Sequence, residues 1–196
     1  MTALRIGGFL LLNLWLLIAA GCASTNPVHL LLLEPGVTLG NHTSGSAVGI
    51  RPVVLPEYLR RNGLVFSEQN HAVTVSGHAR WAEPLEDGIL RVTTINLAEL
   101  LATSRMLSYP WQASQRPDID IVIQVIELTA KATQARLIAD IQIQRRDEQG
   151  NISTMQFIRS WQRTLENDPQ AVEVARAYSD LLLDMAQAIS ATINPR

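Results

Sequence analysis

Cysteine is nearly absent: the 196-residue chain has one, Cys22, and so cannot form an internal disulfide. If the chain is exported, its fold has to be held by an apolar core instead. Lysine is as scarce, with Lys131 the single example, which argues against a polybasic patch of the kind that holds proteins on anionic membranes. The formal net charge is −2, and that mild acidity argues against a nucleic-acid partner, which calls for a basic surface. Glycine-rich phosphate loops, a G-x-S-x-G elbow and an H-E-x-x-H pair are missing as well, so the common signatures of nucleotide, acyl and zinc chemistry have no counterpart here.

What is present starts at the first residues. A hydrophobic run from Ile6 to Ile18 follows a start whose only side-chain charge is Arg5, and small residues close it at Gly21. The order is that of a secretory signal. The run falls short of the roughly 20 residues of a permanent membrane helix, and Asn13 interrupts it. Ala19-Ala20-Gly21-Cys22 resembles a bacterial lipobox, with Ala19 where Leu is commonest. Cleavage between Gly21 and Cys22 needs an extended, uncrowded backbone, which small residues supply. The thiol of Cys22 would carry the lipid. A secreted protein with an incidental thiol is the competing reading.

The expected organisation is a signal peptide at 1–21, a lipidated tether at 22–27 and one domain at 28–196. Losing the leader removes only Arg5, so the net charge moves from −2 to −3. The five residues after Cys22, Ala23-Ser24-Thr25-Asn26-Pro27, reach about 17–18 Å at 3.3–3.6 Å per residue, which would keep the domain close to its bilayer. Ala23 stands where enteric-type lipoproteins of the inner membrane carry Asp, so the outer membrane is the expected address.

Within the domain, the apolar run Val28–Leu33 and the segment Ala47–Val54 read as strands, separated by a Gly- and Ser-rich loop. Leu64–Ser67 and Val73–Ser76 read as short strands around a polar turn, SEQN. Pro84 opens a helix to about Ala102, with Leu85, Ile89, Val92, Leu97 and Leu100 on its apolar face. Ile119, Ile121, Ile123 and Val125 alternate with mostly polar residues, as do Ala135, Leu137, Ala139, Ile141 and Ile143. With Met155, Phe157 and Trp161 on a third run, two successive hairpins are predicted. Asp168-Pro169 caps and starts a last helix whose stripe is Val174, Tyr178, Leu181, Met185, Ala188 and Ile189. The fold class is α+β: a single domain with a largely antiparallel, or mixed, sheet covered by two main helices.

Catalytic candidates are thin. Asp118 and Asp120 have the period-two spacing that places paired carboxylates on one strand face, although the solvated end of a strand has the same pattern. His71 and His78 lack neighbouring ligands, so no metal site is expected. Arg60-Arg61 and Arg145-Arg146 are each able to grip a phosphate headgroup or an acidic partner, and surface charge explains them more cheaply.

The blocks LPEYLRRNGLVF (55–66) and ARWAEPLEDGILRVTTINLAELL (79–101) carry a likeness. Pro56, Tyr58, Leu59, Asn62 and Gly63, then Trp81, Ala82, Pro84 and Leu85, stand in an order that resembles the ABC-type transport auxiliary lipoprotein family. The family often has paired Tyr in the first mature strand, where this chain reads His29-Leu30-Leu31. The resemblance implies an outer-membrane lipoprotein of an intermembrane lipid-transport system, facing the periplasm, without catalysis and with no cofactor beyond the lipid on Cys22. Its implied partner is an MCE-domain protein that spans the periplasm as a tube, whose tip it would hold alone or as a homo-oligomeric ring. Tyr58, Arg60 and Arg61 are the expected partner-binding residues, with Tyr58 equally suited to a loop tip or to packing. Trp81 is expected in the core, over the start of the first helix. The rival reading is a lipoprotein that itself carries a lipid or other apolar ligand under its sheet.

Overall fold

The computed structural model describes residues 27–67, 72–167 and 169–194. The signal peptide, Cys22 and most of the tether, together with His71 and Asp168, lie outside the described residues.

Three 13-residue strands dominate: β6 (Ile119–Lys131), β7 (Gln134–Arg146) and β8 (Ile152–Thr164), joined as the two expected hairpins. Alternation drives them. Ile121, Ile123, Ile141 and Ile143 are fully buried on one face, while Val122, Gln124, Gln142 and Gln144 point the other way. A bulge between Val125 and Glu127 shifts the register, so the buried series in β6 resumes at Leu128 and Ala130 rather than continuing at odd numbers.

The shorter strands β1 (His29–Leu31), β2 (Val48–Ile50), β3 (Gly63–Ser67), β4 (Val73–Trp81) and β5 (Met106–Ser108) complete two sheets, of order β1-β4-β3 and β5-β2-β6-β7-β8. β2 runs parallel to both β5 and β6, and β1 parallel to β4, so both sheets are mixed. The expected continuous strand 47–54 is split. Pro52 has no N–H to give the ladder, and pairing resumes only as an isolated bridge from Val54 to Gln124.

Two helices cover the buried face of the sheet: α1 (Leu85–Leu100) and α2 (Ala171–Ile193). They pack on one another, and α2 also lies on β7, β8 and β1. Ile89, Val92 and Leu97 of α1 are fully buried, with Leu100 partly so. The predicted stripe of α2 is buried along its length. Its start differs from expectation: Pro169 precedes the helix, Gln170 is the extended residue before it, and Ala171 is its first residue. The Glu173 carboxylate reaches back to accept the Glu166 N–H at 2.7 Å, fixing the approach of the chain to the helix.

The residues that carried the family likeness prove to be joints. Trp81 is 8% exposed and stacks on Tyr178 of α2, with ring centroids 6.2 Å apart and planes at 24°. The Trp81 N–H donates to the Asn62 carbonyl at 2.7 Å, and the Ala82 N–H to that of Leu31 at 2.8 Å. Gly63 is needed because a Cβ there would run into Val75 and stand 3.0 Å from the Ser76 carbonyl. The motif thus ties β1, β3 and β4 to the helix layer, and its order reflects packing.

Candidate functional site

Tyr58 lies in a one-turn helix, Glu57–Leu59, closed by the Leu59 N–H donating to the Pro56 carbonyl at 3.0 Å. Its ring is half-buried against the core, so it is packed rather than presented at a loop tip. Burial pushes its hydroxyl pKa up, and the Leu128 backbone N–H works in the opposite direction. Arg60 and Arg61 follow on the exposed side of the turn, and among the described residues Arg60 makes only a long pairing of 3.9 Å with Glu57. The two guanidinium groups are thus free to meet a partner, while Tyr58 holds the turn that displays them.

Asp118 lies in the bend just before β6 and Asp120 within the strand, so they do not form a carboxylate pair on one strand face, and each is already engaged. The Asp118 carboxylate accepts the Ala47 N–H at 2.7 Å, and Asp120 takes both Nε and Nη2 of Arg51, at 3.0 and 2.7 Å. These bonds fasten β2 alongside β6. Arg145 and Arg146, adjacent in sequence, part company because successive strand residues face opposite ways. Arg145 donates to the Ile193 carbonyl at 2.9 Å, where a cation suits the C-terminal end of α2. Arg146 takes the uncovered face.

There Arg146 joins a cleft of about 320 Å³ that also has Arg51, Tyr109, Trp111, Arg116 and Asp120 in its walls. Pro110, on a cis peptide bond after Tyr109, turns the chain between the two rings. Tyr109 meets Trp111 edge to face at 5.0 Å, and the Arg51 guanidinium sits 5.9 Å from the centre of the indole ring. Gly49 makes room for this: a Cβ there would approach the Trp111 ring to 2.6 Å and Pro117 to 2.9 Å. The bonds to Asp120 raise the Arg51 pKa, so that guanidinium is fixed in place and charged. Arg116 has no ion pair among the described residues, and Arg146 makes one long bond, 3.4 Å, to the Gly150 carbonyl.

Asp120, Arg145 and Arg146 are the members of this cleft that stand out in the sequence, each for another reason and none in company with the rest. Arg51, Tyr109, Trp111 and Arg116 carry no local signal beyond the aromatic-Pro-aromatic triplet Tyr109-Pro110-Trp111.

The model of the ABC-type transport auxiliary lipoprotein component family matches residues 30–190. The chain belongs to that family. Its fold is similar to that of an uncharacterised protein of known crystal structure, at 16% identity and a TM-score of 0.67, covering 87% of this chain and 100% of the other. It is also similar to XCC0632 from Xanthomonas campestris, of the DUF330 family, at 12% identity and a TM-score of 0.60, covering 86% and 91%. No curated protein matches the sequence. Within the auxiliary lipoprotein fold, the matched span takes in both sheets from Leu30 of β1 onward, α1, α2 as far as Ser190, the Tyr58 turn and the cleft. No described helix is long and apolar enough to cross a membrane.

Proposed function

We propose that this auxiliary lipoprotein is anchored in the outer membrane by lipid on Cys22 and acts as a non-catalytic adaptor of intermembrane phospholipid transport. It docks a periplasm-spanning MCE-domain protein at that membrane. The observation that carries the reading is the family match across 30–190, directly after a lipobox-like Ala19-Ala20-Gly21-Cys22. Physical chemistry supports it from the anchor outward. A single myristoyl-length chain binds only marginally, but each buried methylene contributes about 0.8 kcal/mol, so several chains on one cysteine make detachment very slow. A domain beginning a few residues later is confined to a thin layer, which raises its effective concentration for a partner reaching the same layer. The Arg60-Arg61 turn supplies exposed cations for that contact.

The rival carrier would need room under the sheet. That space is occupied by fully buried Ile121, Ile123, Ile141, Leu181, Met185 and Ile189. Affinity capture with the full-length chain in mild detergent tests the choice. An MCE-domain protein recovered without stoichiometric lipid is expected; one bound lipid per chain and no such partner would favour the carrier. Radioactive palmitate should label the wild type and not Cys22→Ala, and label persisting on the variant would remove the anchor from the reading.

A further inference from the structure

The cleft on the uncovered face of the five-stranded sheet has no part in the anchor or in the joints between layers. Four arginines, Arg51, Arg116, Arg145 and Arg146, contribute to its walls against a single carboxylate, Asp120. That carboxylate is consumed by Arg51, and the Arg145 side chain bonds to the end of α2. Among the described residues Arg116 and Arg146 are left with most of their donors unfilled, beside a pinned Arg51 and a wall of two aromatic rings. Like charges gathered in a concave site repel one another, and an anion between them relieves the repulsion while accepting their hydrogen bonds.

We propose that this cleft binds a phosphate group, as the free ion or as the phosphodiester of a lipid headgroup. Three guanidinium groups reach it from separate parts of the chain: the end of β2, the loop before β6 and the end of β7. A tetrahedral oxyanion offers acceptors toward all three, whereas a carboxylate presents two oxygens in one plane, the arrangement that Asp120 already gives Arg51. Tyr109 and Trp111 supply an apolar shoulder for the carbon of an ester. The volume is at the lower end of small-ligand sites, enough for a headgroup and too small for acyl chains.

Calorimetric titration of the full-length chain in non-ionic detergent tests this with three probes: inorganic phosphate, glycerophosphoglycerol and a glutamate-rich peptide. Saturable binding of at least one phosphate compound is expected. Arg116→Gln and Arg146→Gln should each weaken it about ten-fold, the loss of one charge-assisted bond, with unfolding midpoints unchanged. Tighter binding of glycerophosphoglycerol assigns the cleft to headgroups, and equal or weaker binding assigns it to the free ion. Binding of the peptide alone, no saturation by either phosphate compound, or affinities unmoved in both variants would overturn the proposal. The result is separable from the docking role, because capture of the MCE-domain protein is read independently in the same two variants.

Discussion

The two faces of one sheet in this molecule could hardly differ more. On the helix side of β6 and β7, Ile121, Ile123, Ile141 and Ile143 have no solvent exposure and are backed by Leu181, Met185 and Ile189 of α2. On the other side, at alternate positions of the same strands, stand Asp120, Gln124, Asp140, Gln142 and Gln144, and Gln156 donates to both oxygens of Asp140 at 3.0 and 2.9 Å. One strand therefore carries two functions at a period of two. Stability resides on the covered face, and recognition is free to vary on the open one.

Paired substitutions one residue apart would break that contrast most directly. Ile141→Ala removes a fully buried side chain that closely packed neighbours cannot replace, and should cost about 2–5 kcal/mol. Gln142→Ala, its neighbour on the open face, should stay within about 0.5 kcal/mol. Urea unfolding midpoints compare the two, and similar losses would mean that the open face is covered in solution, as an oligomer would cover it.

The contrast also marks what could be read in advance. Alternation in 119–125 and 135–143 and the stripe from Val174 to Ile189 announce buried faces because each is a local, repeated pattern. The parallel pairing of β2 is not legible: a three-residue strand carries no period, and its neighbours β5 and β6 begin at Met106 and Ile119, far along the chain. The cleft is hidden for a related reason. Arg145-Arg146 looks like one basic pair in sequence, but although both line the cleft the Arg145 guanidinium is bonded to the end of α2, and the other arginines beside Arg146, Arg51 and Arg116, come from distant segments. Likewise Trp81, a motif residue, is informative about packing rather than contact with a partner.

Gly49 stands between the two regimes, buried in β2 with the cleft's aromatic wall against it. Gly49→Ala should displace the half-exposed Trp111 ring rather than the strand, at a cost of about 1 kcal/mol, the low end for overpacking. The variant should nonetheless lose phosphate binding if that wall shapes the cleft. A larger loss of stability in thermal unfolding, of the order expected for Ile141→Ala, would place the ring in the core instead.

The smallest expected effect concerns the open face at the far end of the hairpin. Arg136 donates Nε and Nη2 to Glu127 at 3.0 and 2.6 Å, and Thr129 adds a third bond at 3.0 Å. With the Arg136 bond leading, these hold the Glu127 carboxyl below its ordinary range, against a desolvation that raises it. Because the folded pKa is the lower one, the pair stabilises fully above the unfolded value of about 4.3, and the contribution is lost as pH falls through the folded value. Both side chains keep about a third of their exposure, 28% and 38%, so solvent screening limits the contribution to under about 1 kcal/mol. Glu127→Gln should lower the unfolding temperature slightly at pH 7 and flatten its decline between about pH 5 and 3. An unaltered acid limb would show that the bulged end of β6 draws its stability from Leu128 and Ala130 beneath it, and that the open face contributes nothing there.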